Sequence, residues 1–213
     1  MTGREGRGTR PRGGLPDKRR AIIAGAHAVF ARDGYTRASV DAISGEAGVS
    51  TRTVYNHFQD KADLFETVIR ESAARVADAH VGIIDRYLTR VTDLETDLVE
   101  FGVAMADSWA VDFTEHSALV RQINADAGHL PAAALEAWQR VGPIRVRREL
   151  AGRLTRLAER GLLRVDDPQT TAVQLLQLIS IDKAARPELA DTMTSQAEMV
   201  AAGVRLFLHG CAG

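Results

Sequence analysis

The chain has 213 residues, 45% of them hydrophobic and 26% charged, a composition that supports a packed core and excludes wholesale disorder. Its one cysteine, Cys211, excludes an intrachain disulfide framework and points to a free thiol in a reducing compartment. With no run of eighteen uncharged apolar residues and no apolar stretch behind the basic start, no membrane partner is expected and the expected location is cytoplasmic. The net charge of −1 conceals a division. Residues 1–61 carry 11 Lys and Arg against 6 Asp and Glu, whereas the remainder carries 16 against 22, so the basic head rather than the acidic body suits a polyanion.

Residues 1–16, four arginines among glycines and prolines, read as a flexible basic arm. Ile22, Ile23, Ala26, Val29 and Phe30 then fall at helical spacing and predict a first helix over 17–33, with Gly34 as its stop. Ser39 caps a second helix with Val40, Ile43 and Ala47 on its apolar side, ending at Gly48. Gly48, Val49 and Ser50 form a turn in which glycine adopts positive φ and Ser50 caps a third helix, from Thr51 to about Phe58. At 100° per residue, Val54 and Phe58 share the inward side of this helix. Arg52 and Asn56 lie opposite, flanked by Thr53 and Tyr55. A fourth helix starts at Asp60 and is predicted to run to about Ala79, with Leu64, Phe65, Val68 and Ile69 inside.

Residues 17–62 are therefore a helix-turn-helix unit, and 63–213 a larger helical body. Helices are expected at 81–90, 93–110, 114–127, 132–141, 144–160, 167–182 and 190–208, separated by Gly128, Pro131, Gly142, Pro143, Gly161, Pro168 and Pro187. No sustained period of two argues for a sheet, so the fold class is all-α.

A helix of eight residues is about 12 Å long and suits the DNA major groove. Arg52 matches a guanine edge, Asn56 an adenine edge and the Thr53 methyl a thymine methyl, which makes these three the candidate base readers. Ser39, Tyr55, His57 and Lys61 are the candidate phosphate contacts. Arg10, Arg12, Lys18 and Arg19 form an arm whose attraction weakens steeply with salt.

Phe30, Gly34, Tyr35, Ser39, Val40, Ile43, Ala47-Gly48-Val49-Ser50, Thr53, Tyr55, His57-Phe58 and Lys61 together resemble the DNA-binding domain of the TetR/AcrR family of bacterial repressors, over about 50 residues. Ser44 and Arg52 depart from its commonest pattern, and Arg52 suggests an operator preference of its own. The resemblance implies a homodimer built through the last two long helices and a small-molecule effector held in the body. Val173, Leu176, Ile179, Val200 and Val204 are the candidate dimer residues. For the pocket, the stripe Phe101, Met105, Trp109 and Phe113 is joined by His116, Arg121, Asn124 and Trp138, although a stripe at helical spacing equally suits a plain core. Arg145, Arg148, Arg153, Arg156 and Arg160 share one helix face and read as a solvated surface beside Glu149 and Glu159.

No metalloprotease, dinucleotide, P-loop or nucleophile-elbow motif appears, and the six histidines are scattered, so neither an enzyme nor a metal or cofactor is expected. The expected function is a sequence-specific regulator that represses from a palindromic double-stranded operator until a small, mostly apolar ligand releases it. The alternative is a ligand-independent or activating DNA-binding protein of the same fold.

Overall fold

The computed structural model describes residues 14–180 and 195–210, so Arg10, Arg12 and Cys211 lie outside the described residues. These residues form ten α-helices and no strand. In order they are α1 (Leu15–Arg37), α2 (Val40–Glu46), α3 (Thr51–Tyr55), α4 (Lys61–Leu88), α5 (Leu94–Asp107), α6 (Thr114–Asp126), α7 (Ala132–Val141), α8 (Pro143–Glu159), α9 (Pro168–Ile179) and α10 (Gln196–His209). A π-helical turn, Ser108–Asp112, continues α5, and a short 3₁₀ turn, Ala127–His129, follows α6.

Side chains fix several starts. Ser39, Ser50, Asp60, Asp93, Asp167 and Ser195 each accept a hydrogen bond from a backbone N–H of the first turn that follows, satisfying donors that have no partner inside the helix. The first helix does not end at Gly34. It breaks there, at φ +77°, and resumes to Arg37. Glycine is required twice over: the conformation excludes other residues, and an added Cβ would stand 2.8 Å from Asp126 Oδ2 and 3.0 Å from Gln122 Oε1 of α6.

Two corrections concern length. The third helix has five residues, not eight, and passes into a turn at Asn56. The segments expected at 60–79 and 81–90 are one 28-residue helix, α4, about 42 Å long.

The described residues have two apolar cores. Ile22, Phe30, Ile43, Val54, Phe58, Leu64 and Phe65 from α1 to α4 pack with Leu119 and Ile123 of α6 and Trp138 of α7. The core beneath the helix-turn-helix unit is therefore completed by helices of the body. The second core joins the later half of α4 to α5, α8, α9 and α10 through Ile84, Phe101, Leu150, Leu154, Leu175 and Val204. Gly102 faces Val200 and Ile179, and Gly203 faces the Leu178 carbonyl, where a Cβ would collide with the oxygen; these contacts draw α5, α9 and α10 together.

The α8 arginines are not simply solvated. Arg145 pairs with Asp78 at 2.7 Å, Arg153 bonds Asp85, and Arg160 donates to the Val91 carbonyl at 2.9 Å, which straps α8 to α4 and the loop behind it. Arg148 and Arg156 remain exposed.

Candidate nucleic-acid interface

Ser50 Oγ accepts the Thr53 N–H at 3.2 Å and lies 2.9 Å from Thr53 Oγ1, so the Thr53 hydroxyl belongs to the cap and only its methyl is left to meet a base. Val54 and Phe58 are buried, and their burial sets the rotation of α3. Arg52, Tyr55 and Asn56 consequently point outward and are exposed, Tyr55 by 56%. Among the described residues none of these three side chains has a hydrogen-bond or ion-pair partner in the protein. An exposed guanidinium and amide with unused donors are suited to base edges.

Around α3 the expected phosphate groups have divided roles. Ser39 Oγ caps α2 by accepting the Ala42 N–H, and Tyr55 is unengaged. His57 keeps Nε2 enclosed and without a partner. Lys61 Nζ donates to the carbonyls of Tyr35 and Ala38, both at 3.0 Å, and sits 4.5 Å from the Tyr35 ring centroid. Two of its three N–H bonds are thus spent holding the α1–α2 connection to the start of α4, and one is left. In the arm, Lys18 is exposed, whereas Arg19 pairs with Glu71 of α4 at 3.1 Å and lies over the Phe58 ring. Arg19 is a strap between α1 and α4, not a free arm residue.

Comparison with known proteins agrees with this geometry. The profile described as "Bacterial regulatory proteins, tetR family" matches residues 22–68, and that of "AefR-like transcriptional repressor, C-terminal domain" matches residues 96–210. The chain belongs to the TetR family. Membership places it among DNA-binding transcriptional regulators. It is 37% identical over 73 residues to the HTH-type transcriptional repressor AcnR of Corynebacterium diphtheriae, an alignment covering 33% of this chain and 38% of that protein. The chain thus spans little more than a third of the length of that curated relative. A TetR-family regulator from Mesorhizobium loti superposes with a TM-score of 0.74 at 28% identity, covering 92% of this chain and 97% of that one. The flavonoid-responsive regulator FrrA gives a TM-score of 0.62 at 26% identity, covering 90% and 95%.

Within this TetR body, the expected pocket residues do not converge. Phe101 and Met105 are sealed into the second core, Trp138 belongs to the first, and Arg121 and Asn124 are exposed. Trp109, Phe113 and His116 do come together, around a residue the sequence reading passed over, His80 of α4. The His80 ring lies 5.1 Å from Trp109 and 6.2 Å from Phe113, and Trp109 lies 5.7 Å from His116. His80 is buried with Nε2 unpartnered. Burial pushes its pKa down to about 4, and burial followed by His27, His80 and Arg75 does the same to His116. His80 follows Val76, Ala73 and Ile69 along the buried side of α4, and that periodicity was the available signal.

The dimer residues also divide. Ile179, Val200 and Val204 are consumed by the subunit's own second core, where Ile179 and Val200 face Gly102 of α5. Val173 and Leu176 are half-buried. The outward side of α9 and α10 is instead a shallow groove of about 740 Å³ that includes Val173, Gln174, Gln177, Leu178 and Leu206. Among the described residues no helix is long and apolar enough to cross a membrane, and no cluster of three metal-ligating side chains occurs.

Proposed function

We propose that this chain is a homodimeric repressor that reads a palindromic operator through α3 and is released by a small, mostly apolar ligand. The observation that carries the reading is the outward, unpartnered set of Arg52, Tyr55 and Asn56 on a capped, buried-sided helix. Arg52 and Asn56 read base edges, the Thr53 methyl adds an apolar contact, and Ser39, Tyr55 and the third N–H of Lys61 meet phosphates. Two copies joined through α9 and α10 present their α3 helices to half-sites about 34 Å apart. The groove of mixed polarity along α9 and α10, with Val173, Leu178 and Leu206 among its lining, supports that surface as the join. For the effector, the cluster of Trp109, Phe113 and His80 favours an uncharged, ring-bearing ligand, in keeping with a flavonoid-responsive protein of the same fold. A ligand that prefers a conformation with misaligned α3 helices weakens DNA binding by the same differential free energy.

The test is selection of bound fragments from randomised duplex DNA, followed by mobility shifts at several salt concentrations. Enrichment of a two-fold symmetric site with steep salt dependence is expected. A chain that retards no duplex in a salt-dependent manner is not a DNA-binding regulator. Leu206→Glu is expected to leave the helical content intact and yield a monomer by sedimentation. A variant that remains dimeric would place the join elsewhere.

A further inference from the structure

One buried oxygen ties the helix-turn-helix unit to the body. Ser72 Oγ on α4 lies 2.8 Å from His116 Nδ1 on α6 and 3.3 Å from His27 Nε2 on α1. The three residues are 2%, 5% and 7% exposed respectively. A serine hydroxyl has one proton to donate and accepts with its lone pairs. The chain of bonds is complete when one imidazole donates to Oγ and the other accepts from it. It tolerates hydrogen on one of the two facing nitrogens, but not on both, since the hydroxyl proton then loses its acceptor. Surrounding charges make two cations harder to hold. Glu115 of α6 faces His27 Nδ1 at 3.8 Å and is the attracting group. Arg75 of α4 opposes a cation on either ring, and His80 of α4 opposes one on His116.

We propose that the His27–Ser72–His116 relay positions the DNA-reading unit on the body and makes the grip on DNA proton-sensitive, acid opening the α1–α4–α6 joint and releasing the duplex. The relay touches no DNA; its members are positioning residues. This rests on the DNA-binding reading above. Desolvation first holds both rings neutral in the joined form, with His116 pushed down to about 4, whereas an opened form lets each ring titrate near 6.5. His116 then favours the opened form by up to about tenfold at pH 5.5, and His27 adds to it in the same direction. A loss of affinity in acid is therefore the relay's mark.

The experiment measures the Kd of the parent protein for its own selected duplex by fluorescence anisotropy from pH 7.5 to 5.5 at fixed ionic strength. The double variant His27→Gln/His116→Asn is measured beside it. Gln places an amide where Nε2 was and Asn one where Nδ1 was, so both keep a donor and an acceptor without taking up a proton. The parent is expected to lose more than threefold in affinity, since acid acts only through the fraction of molecules still joined. The variant is expected to keep the pH 7.5 affinity within about threefold and to lose less than threefold in acid. Equal losses in parent and variant, or a parent whose affinity is flat or rises, overturn the proposal. Should the double variant not fold, the ring ¹⁵N shifts of the parent on its duplex decide: both relay rings becoming cationic near pH 6.5 while the complex persists overturns it. A selection that enriches no sequence at any pH sinks the DNA-binding reading and the relay together, whereas enrichment with a flat pH profile sinks the relay alone.

Discussion

Arg52 stands on the free side of a five-residue helix and Asn56 at its C-terminal cap, each side chain with nothing in the protein to bond, and their roles separate from that of Lys61 by what each substitution should cost. Arg52→Ala is expected to lose about 1 to 3 kcal/mol of discrimination at one base position while sparing the others; repeating the site selection with the variant checks this, and an unchanged consensus would remove Arg52 from the readers. Lys61→Met should act first on the fold. It deletes two charge-assisted bonds to the Tyr35 and Ala38 carbonyls, so urea unfolding should show a loss of about 1.5 to 3 kcal/mol. Unchanged stability with a salt slope smaller by about one would mark a pure phosphate contact instead. The outward side of α3 was legible in the sequence because two inward residues, Val54 and Phe58, suffice to set a register. The strap made by Lys61 was not, because its partners are carbonyls 26 and 23 positions earlier, and a main-chain acceptor leaves no residue type to read.

Among the helices, punctuation decided what could be read. The interval predicted at 132–141 coincides with α7, since Pro131 and the Gly142-Pro143 pair bracket it. The body of α4 was divided near position 80 because the apolar period lapses at a histidine. In the folded chain that histidine occupies the buried side and packs on Trp109 and Phe113, so the helix continues through it. Gly82, two positions on, is exposed, and an added Cβ would meet nothing within 4 Å. Gly82→Ala is therefore expected to raise stability by about 0.5 to 1 kcal/mol, through lower backbone entropy in the unfolded chain. A thermal melt tests it, and a lowered midpoint would mean that the position needs glycine for a reason the packing does not contain.

For the molecule as a whole, the all-α class and the order of helices followed from local pattern, but the pairing of faces did not. That α6 and α7 complete the core beneath α1 to α4 depends on which of several similar apolar sides meet, and composition does not distinguish them. The joint they form has a pH signature. The folded state holds His80 and His116 near 4 against about 6.5 when unfolded, so the unfolded chain binds more protons between those values. Stability is full above about pH 6.5 and declines as the pH falls toward 4. The urea midpoint should accordingly drop between pH 7.5 and 5, and His80→Phe should lessen the drop; identical pH dependence in parent and variant would contradict this. Finally, α4 begins in the Lys61 strap and ends in the second core at Leu88. A rod about 42 Å long converts angle into travel: tilting it by roughly 5° about its far end carries its tip some 3.6 Å, about the rise of a single base pair. Adjustments too slight to disturb the packing around Leu88 are thus magnified, at the other end, into a full step along a duplex.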